Sequence, residues 1–358
     1  MTDRWQPSSE RRNAGAGTPE APIVSGVVET IAAGMSLAFW RPRLLVIPVV
    51  IDLLLWLGLQ VSANPLTAPL GRLMEREGGE NGELAAEQLA EFGARAHVND
   101  LVAWLIPSLF AGVPSDTVLT ALLSFLVPPL MDGVDREGMY DQWGDGLLNL
   151  WQPDNWFVVV SVGLAFLLLG SVVLVLFRVP LAFSVRGGRA SARRLAGDLA
   201  MAWLRVVGLI SLVGLVAAIA VGPLVVLAAV LLLLGLDVSS LLALILICVG
   251  GLVAIYTVFT VDAIVLSQVG PLHGLRQSFQ VVRANFGPTV RFAISSLLIG
   301  TGSFQLWEAL VANPPGIVLS LIGNSFIGTG LILASMMFFY DRFRLLQRTP
   351  PPAGRGRP

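Results

Sequence analysis

Lysine is missing from this 358-residue chain, whose 23 basic residues are all arginine, balanced by 24 acidic ones. The formal charge of −1 gives no argument for nucleic acid as a partner, since that class of binding rests on a clustered positive excess. Cysteine and histidine are almost absent too: Cys248 stands inside an apolar run, and His97 and His273 are the two histidines. Neither a disulfide framework nor a cysteine-rich metal site can be assembled from them, and no cofactor is implied. Charge is scarce in general, at 13% of residues against about one quarter in ordinary soluble domains.

What is present is hydrocarbon. Hydrophobic residues make up 55% of the chain and cluster into runs near 44–61, 156–178, 206–234, 241–266, 292–311 and 317–340. Each is close to or above the roughly 20 residues that a helix needs to cross about 30 Å of lipid. The expected fold is therefore all-α, a polytopic integral membrane protein with six main transmembrane helices. Residues 1–20, which mix charges with proline and lack the apolar core of a cleaved signal, are expected to be a disordered tail, as are residues 347–358. The membrane domain then occupies 21–346, with an extracytoplasmic excursion over 63–155. Within that excursion, two apolar pieces at 101–111 and 117–131 are too short to span alone; a surface layer, a re-entrant hairpin and two extra crossings all remain open.

Arginine placement gives an independent reading of topology. Arg41 and Arg43 precede the first run, Arg186, Arg189, Arg193, Arg194 and Arg205 separate the second from the third, Arg276, Arg283 and Arg291 separate the fourth from the fifth, and Arg342, Arg344 and Arg348 follow the sixth. Basic residues favour the cytoplasmic side of short loops, so six crossings place both termini in the cytoplasm.

Each odd-numbered run is preceded by a stretch in which polar and apolar residues alternate at helical spacing: IVSGVVETIAAGMSLAFW, ARRLAGDLAMAWLR and PLHGLRQSFQVVRANF. In the first, Val27, Ile31, Gly34 and Ala38 share a face; in the third, Leu275, Phe279 and Val282 do so, with Arg276 and Arg283 elsewhere. These segments read as amphipathic elbow helices. Trp40, Trp203 and Phe286 fall near their ends and Arg43, Arg205 and Arg291 near the span entrances, a pairing that suits a ring among lipid headgroups and a guanidinium on phosphate or water. Three degenerate units of elbow plus hairpin follow from this comparison.

Two segments, RPRLLVIPVV at 41–50 and VDAIVLSQVGPLHGLRQSFQVVRANFG at 261–287, resemble poorly characterised bacterial multipass proteins related to the membrane domain found beside glycerophosphodiester phosphodiesterases. In the resemblance, Asp262 holds the acidic place before the cytoplasmic elbow, Leu275 and Arg276 lie in its amphipathic start, and Arg283, Asn285 and Phe286 mark its end. It implies an accessory module in a bacterial cytoplasmic membrane. The soluble domain that would supply lipid hydrolysis has no counterpart in this sequence, so no enzyme activity is carried over.

Among polar residues inside the runs, Asp52 and Asp262 are the most informative, because an ion in hydrocarbon must be paired, hydrated or neutralised. Asp52 could meet Arg178 or another helix; Asp262 could meet Arg178, Arg276 or Arg283. Either carboxylate could belong to a polar pathway or to a structural pair. Glu308 beside Trp307, with Asn324 and Ser325 in the last run, could line a vestibule, polarise a lipid ester or satisfy neighbouring helices. Asp341 is expected to pair locally with Arg342. Neither histidine belongs to an HExxH pair, and there is no Walker-type glycine loop. The expectation is a non-catalytic module that organises membrane lipids, a membrane-protein partner or a second copy of itself in a homo-oligomer. The alternative is a transporter of small solutes or lipids, using a polar intramembrane pathway.

Overall fold

A computed structural model describes residues 25–57, 60–62, 64–77, 150–151, 155–187, 192–233, 238–311 and 314–348, with isolated positions 82, 83, 86, 87, 90, 98, 102, 105, 153 and 236. The predicted tail at 1–20 and nearly all of the 101–131 segment lie outside these residues. Helices dominate. They are α1 (Val27–Trp40), α2 (Val46–Leu57), α3 (Asn64–Glu77), α4 (Trp156–Arg186), α5 (Ala192–Leu233), α6 (Ser239–Thr257), α7 (Thr260–Ser267), α8 (Pro271–Ala284), α9 (Phe286–Val311) and α10 (Pro314–Arg348). A two-residue parallel ladder pairs Gln60–Val61 with Leu150–Trp151, so the two ends of the excursion meet at its base.

By length and composition, four helical stretches are able to cross a membrane: Trp156–Arg186, Leu195–Leu224, Cys248–Ser267 and Pro315–Gln347. Several long apolar helices in one all-helical chain mark a multi-spanning integral membrane protein. The 31 residues of α4 extend about 46 Å at 1.5 Å each, longer than the hydrocarbon layer, so this helix continues past the predicted end at Arg178 to Arg186. Its start is fixed by Asn155, whose side chain accepts from the Phe157 N–H at 2.9 Å, and its end by Gly187 at φ 70°, the left-handed geometry that closes helices.

Structure corrects the predicted elbows in several ways. The first and third stretches form the separate helices α1 and α8. The second does not stand apart, because ARRLAGDLAMAWLR runs without a break into the 42-residue α5. No proline or glycine cap interrupts that stretch, and Ala, Leu, Met and Arg all favour helix continuation. The three-unit repeat therefore lacks its middle elbow. On α8 the buried face is Gly274, Ser278, Val281 and Val282; Leu275 is half-buried and Phe279 is exposed, so the face predicted from hydrophobicity is rotated toward the small residues. The last helix continues to Arg348, two residues into the predicted tail.

The fourth predicted run is broken in two. At Val258–Phe259 the chain leaves α6 and re-enters helix as α7. Ser278 of α8 repairs the break: its hydroxyl accepts from the Phe259 N–H at 3.2 Å and donates to the Tyr256 carbonyl at 2.8 Å. One side chain thus satisfies both a donor and an acceptor freed inside an apolar region, where each would otherwise be costly. Gly274 lets α8 approach closely enough for this, since a Cβ there would stand 2.6 Å from Ile264 Cγ1. The core sits around this joint, with Phe259 stacked on Phe338 at 5.4 Å and Phe292 at 4.8 Å from Phe338.

α1 packs along α10 through glycine. A Cβ on Gly34 would lie 2.4 Å from the Gly330 carbonyl oxygen, and one on Gly330 would lie 2.3 Å from the Met35 sulfur. Gly34 with Ala38, and Gly330 with Ala334, are small residues spaced four apart, which lets two backbones touch where lipid supplies no hydrophobic drive for helix association.

Candidate functional site

The polar centre of the molecule joins three helices. Arg178 of α4 makes an ion pair with Asp262 of α7, and the Ser335 hydroxyl of α10 donates to the other Asp262 oxygen at 2.5 Å. Asp262 is 1% exposed and Arg178 18% exposed, so the charge is withdrawn from lipid while the guanidinium keeps a partial outlet. Of the partners anticipated for Asp262, Arg178 is the one it takes; Arg276 and Arg283 are exposed on α8. Of the two carboxylates anticipated for Arg178, it bonds Asp262, while Asp52 is fully buried on α2. Buried ions in this state are held by mutual pairing and by hydrogen bonds to their remaining oxygens, and both conditions are met here.

A second arginine ties the same end of the bundle. The Arg186 guanidinium donates to the carbonyls of Val265, at 2.6 Å, and Leu266. These are among the last carbonyls of α7, which have no partner within the helix, and a cation there also complements the helix dipole. Gln268, at φ 53°, then turns the chain toward α8. Arg41, which ends α1, donates to the Ser184 hydroxyl at 2.7 Å, so α1 and α4 are joined at that end as well. Arg342 is 4% exposed and lies with its Cζ 3.3 Å from the Phe338 ring centre, while the neighbouring Asp341 carboxylate interacts with its charge. A desolvated guanidinium over an aromatic face gains the interaction that an exposed one loses to water.

The predicted boundary residues divide into two groups. Trp40 and Phe286 are exposed, as are Arg43, Arg276, Arg283 and Arg291. Trp203 and Arg205 are half-buried, and the Trp203 indole donates to Ser171 at 2.9 Å, so its role is packing of α5 on α4. Asn324 and Ser325 are buried on α10. Beside them, Trp307 lies flat on Gly323, where a Cβ would come within 2.3 Å of the ring, and Ser320 donates to the Trp307 carbonyl at 3.2 Å. The Glu308 side chain lies outside the described residues.

Ser335, Arg186 and Ser278 carry these ties; sequence reasoning used Arg186 only as a marker of topology and gave the two serines no role. Serine in an apolar run has no spacing signature, and Arg186 reads as one more loop arginine until α7 is seen to end beside it. Among the described residues, no group of three or more His, Cys, Asp or Glu side chains is placed to hold a metal ion. Family models, curated proteins and solved structures were all compared with this chain and none matches, so the functional argument rests on its own residues.

Proposed function

We propose that this protein is a non-catalytic membrane module that positions lipid or a membrane-protein partner through its two elbow helices. The observation that supports this reading is the way α1 and α8 are mounted. Each is clamped to the span bundle by a face of small residues, Gly34 and Ala38 in one and Gly274 and Ser278 in the other. Each presents large apolar residues outward, Phe39 and Trp40 on α1, Leu272 and Phe279 on α8. A rigid mount with an apolar and aromatic rim suits a surface that recognises something else in the plane of the membrane.

In this proposal six segments cross, namely α2, α4, α5, α6 with α7, α9 and α10, and the arginine-rich end faces the cytoplasm of a bacterial cell together with both termini. The resemblance to membrane domains found beside phosphodiesterases fits an accessory role of this kind. The Arg178–Asp262–Ser335 tie serves there as a fastener that keeps α4, α7 and α10 in one arrangement.

Affinity isolation of the full chain from its own membrane after cross-linking tests the proposal. We expect a reproducible partner or a selectively retained lipid whose recovery falls when Trp40, Leu272 and Phe279 are replaced by Ala. Recovery of the chain alone, with unselective lipid, would reject it. A transporter reading is favoured by one feature: the buried hydroxyls of Ser325 and Thr329, close to Asn324, have no hydrogen-bond partner among the described residues. Solute flux into proteoliposomes that is abolished by Thr329→Val and Ser325→Ala would establish that alternative.

A further inference from the structure

The corner where α1 turns into α2 borders a cavity of about 310 Å³ that opens to the surface. Its polar end carries Arg41 and Arg43, and its walls are Leu44, Ile47, Phe177 and Phe183. Among the described residues, no carboxylate lines it. The corner is stiff: the Arg41 N–H bonds the Ala38 carbonyl at 3.2 Å, the Leu44 N–H bonds the Arg41 carbonyl at 3.0 Å, and Pro42 fixes the backbone between the two arginines.

Arg41 is also held at its tip. Its bond to Ser184 is backed by the Ser184 hydroxyl donating to the Pro180 carbonyl at 3.0 Å. Ser184 engages one of the five guanidinium N–H donors, leaving others for a ligand. Polarity changes along the groove in the direction of the helices. Ile47 lies four residues beyond Arg43, and Phe177 lies seven residues before Ser184, so the backbones of these two apolar residues lie about 6–10 Å farther along their helices than those of the polar ones. That is the profile of a phospholipid, with phosphate above and glycerol and first methylenes below.

We propose that this groove binds an anionic phospholipid, with Arg41 and Arg43 on its phosphate and the start of an acyl chain against Ile47 and Phe177. Two guanidiniums without a lining carboxylate complement a net negative headgroup, and arginine offers paired donors to phosphate oxygens. A zwitterionic lipid brings its own cation to the same place and gains less. This deepens the organising role proposed above by naming its lipid, and the two can fail separately, because partner capture does not depend on headgroup charge.

The test is native mass spectrometry of the purified full chain in detergent, titrated with phosphatidylglycerol, phosphatidylcholine or inorganic phosphate. One phosphatidylglycerol is expected to bind saturably, at least about fivefold tighter than phosphatidylcholine, with a loss of about fivefold or more in Arg43→Gln. Ile47→Trp, which fills the apolar end and removes no charge, is expected to lower phosphatidylglycerol binding while leaving the melting temperature near that of the parent. Equal affinity for the two lipids would overturn the proposal, as would unchanged phosphatidylglycerol binding in either variant. Phosphate alone binding as tightly as phosphatidylglycerol would overturn the lipid assignment.

Discussion

Helices α5 and α10 are both long and apolar, yet they are packed in opposite ways. Within Leu195–Leu224 of α5, an 18-residue window has a mean hydropathy of 2.5 with 11% of its residues buried, whereas the corresponding window within Pro315–Gln347 of α10, at 1.9, has 50% buried. The less hydropathic helix is the better buried one. In water this order would be odd, but in lipid the tails are as apolar as leucine, so hydropathy tells a helix to enter the bilayer and not where to sit within the bundle. α10 owes its place to Gly323 under Trp307, Gly330 and Ala334 against α1, and Ser335 on Asp262. From Ser211 to Ala220, α5 carries neither a close glycine contact nor a described side-chain bond, and Val213, Leu215, Val216 and Ile219 are all exposed.

Substitutions at these two kinds of place should differ sharply, and the largest effect is expected at the ion pair. Asp262→Ala leaves Arg178 without its carboxylate and should destabilise the chain by about 3–5 kcal/mol. Thermal unfolding in detergent would measure this, and the double variant Arg178→Met with Asp262→Leu should recover most of the loss, since an apolar pair carries no desolvation cost. Retention of full stability by Asp262→Ala alone would mean the tie does not hold the bundle.

Next in size is the glycine seam. Gly34→Leu drives a side chain into the Gly330 backbone and should cost about 1–3 kcal/mol or more through overpacking. Detachment of α1 can be followed by the protease sensitivity of the segment around Trp40, which should rise in the variant. A smaller loss is expected from Arg186→Ala, about 1.5–3 kcal/mol at most for charge-assisted bonds, reduced by the partial exposure of the site. It should appear as faster amide exchange at the end of α7, and Arg186→Lys should restore part of the protection through its charge near the helix terminus.

The smallest effect belongs to α5. Val216→Ala and Leu215→Ala remove exposed methyl groups and should shift stability by no more than about 0.5 kcal/mol. A large loss in detergent at either position would show that this face is packed against protein, and would make a second copy of the chain the first candidate.

Much of the architecture was legible beforehand. The apolar runs located the long helices, and the charge of Asp262 together with Arg178 picked out both members of the central pair. The separate helices α1 and α8 were expected from their mixed polarity. Their buried faces were harder to assign: on α8 the pattern pointed to Leu275 and Phe279, but Gly274 and Ser278 face the core because close backbone approach and repair of the Phe259 break matter more there than side-chain size. The second elbow failed for a related reason. Composition that changes from amphipathic to apolar does not end a helix, and α5 has no cap at that point.

Composition and periodicity by themselves determined that this chain is helical and enters a membrane. These follow from the cost of leaving backbone and charged groups in hydrocarbon, which depends on local sequence alone. Tertiary structure decided which carboxylate Arg178 takes, which helix Ser278 repairs, and that the first helix lies against the last through Gly34 and Gly330. Those choices depend on distances between segments up to about three hundred residues apart, and in lipid, with no hydrophobic gradient between helices, they are made by shape and by hydrogen bonds that only the assembled bundle brings within reach.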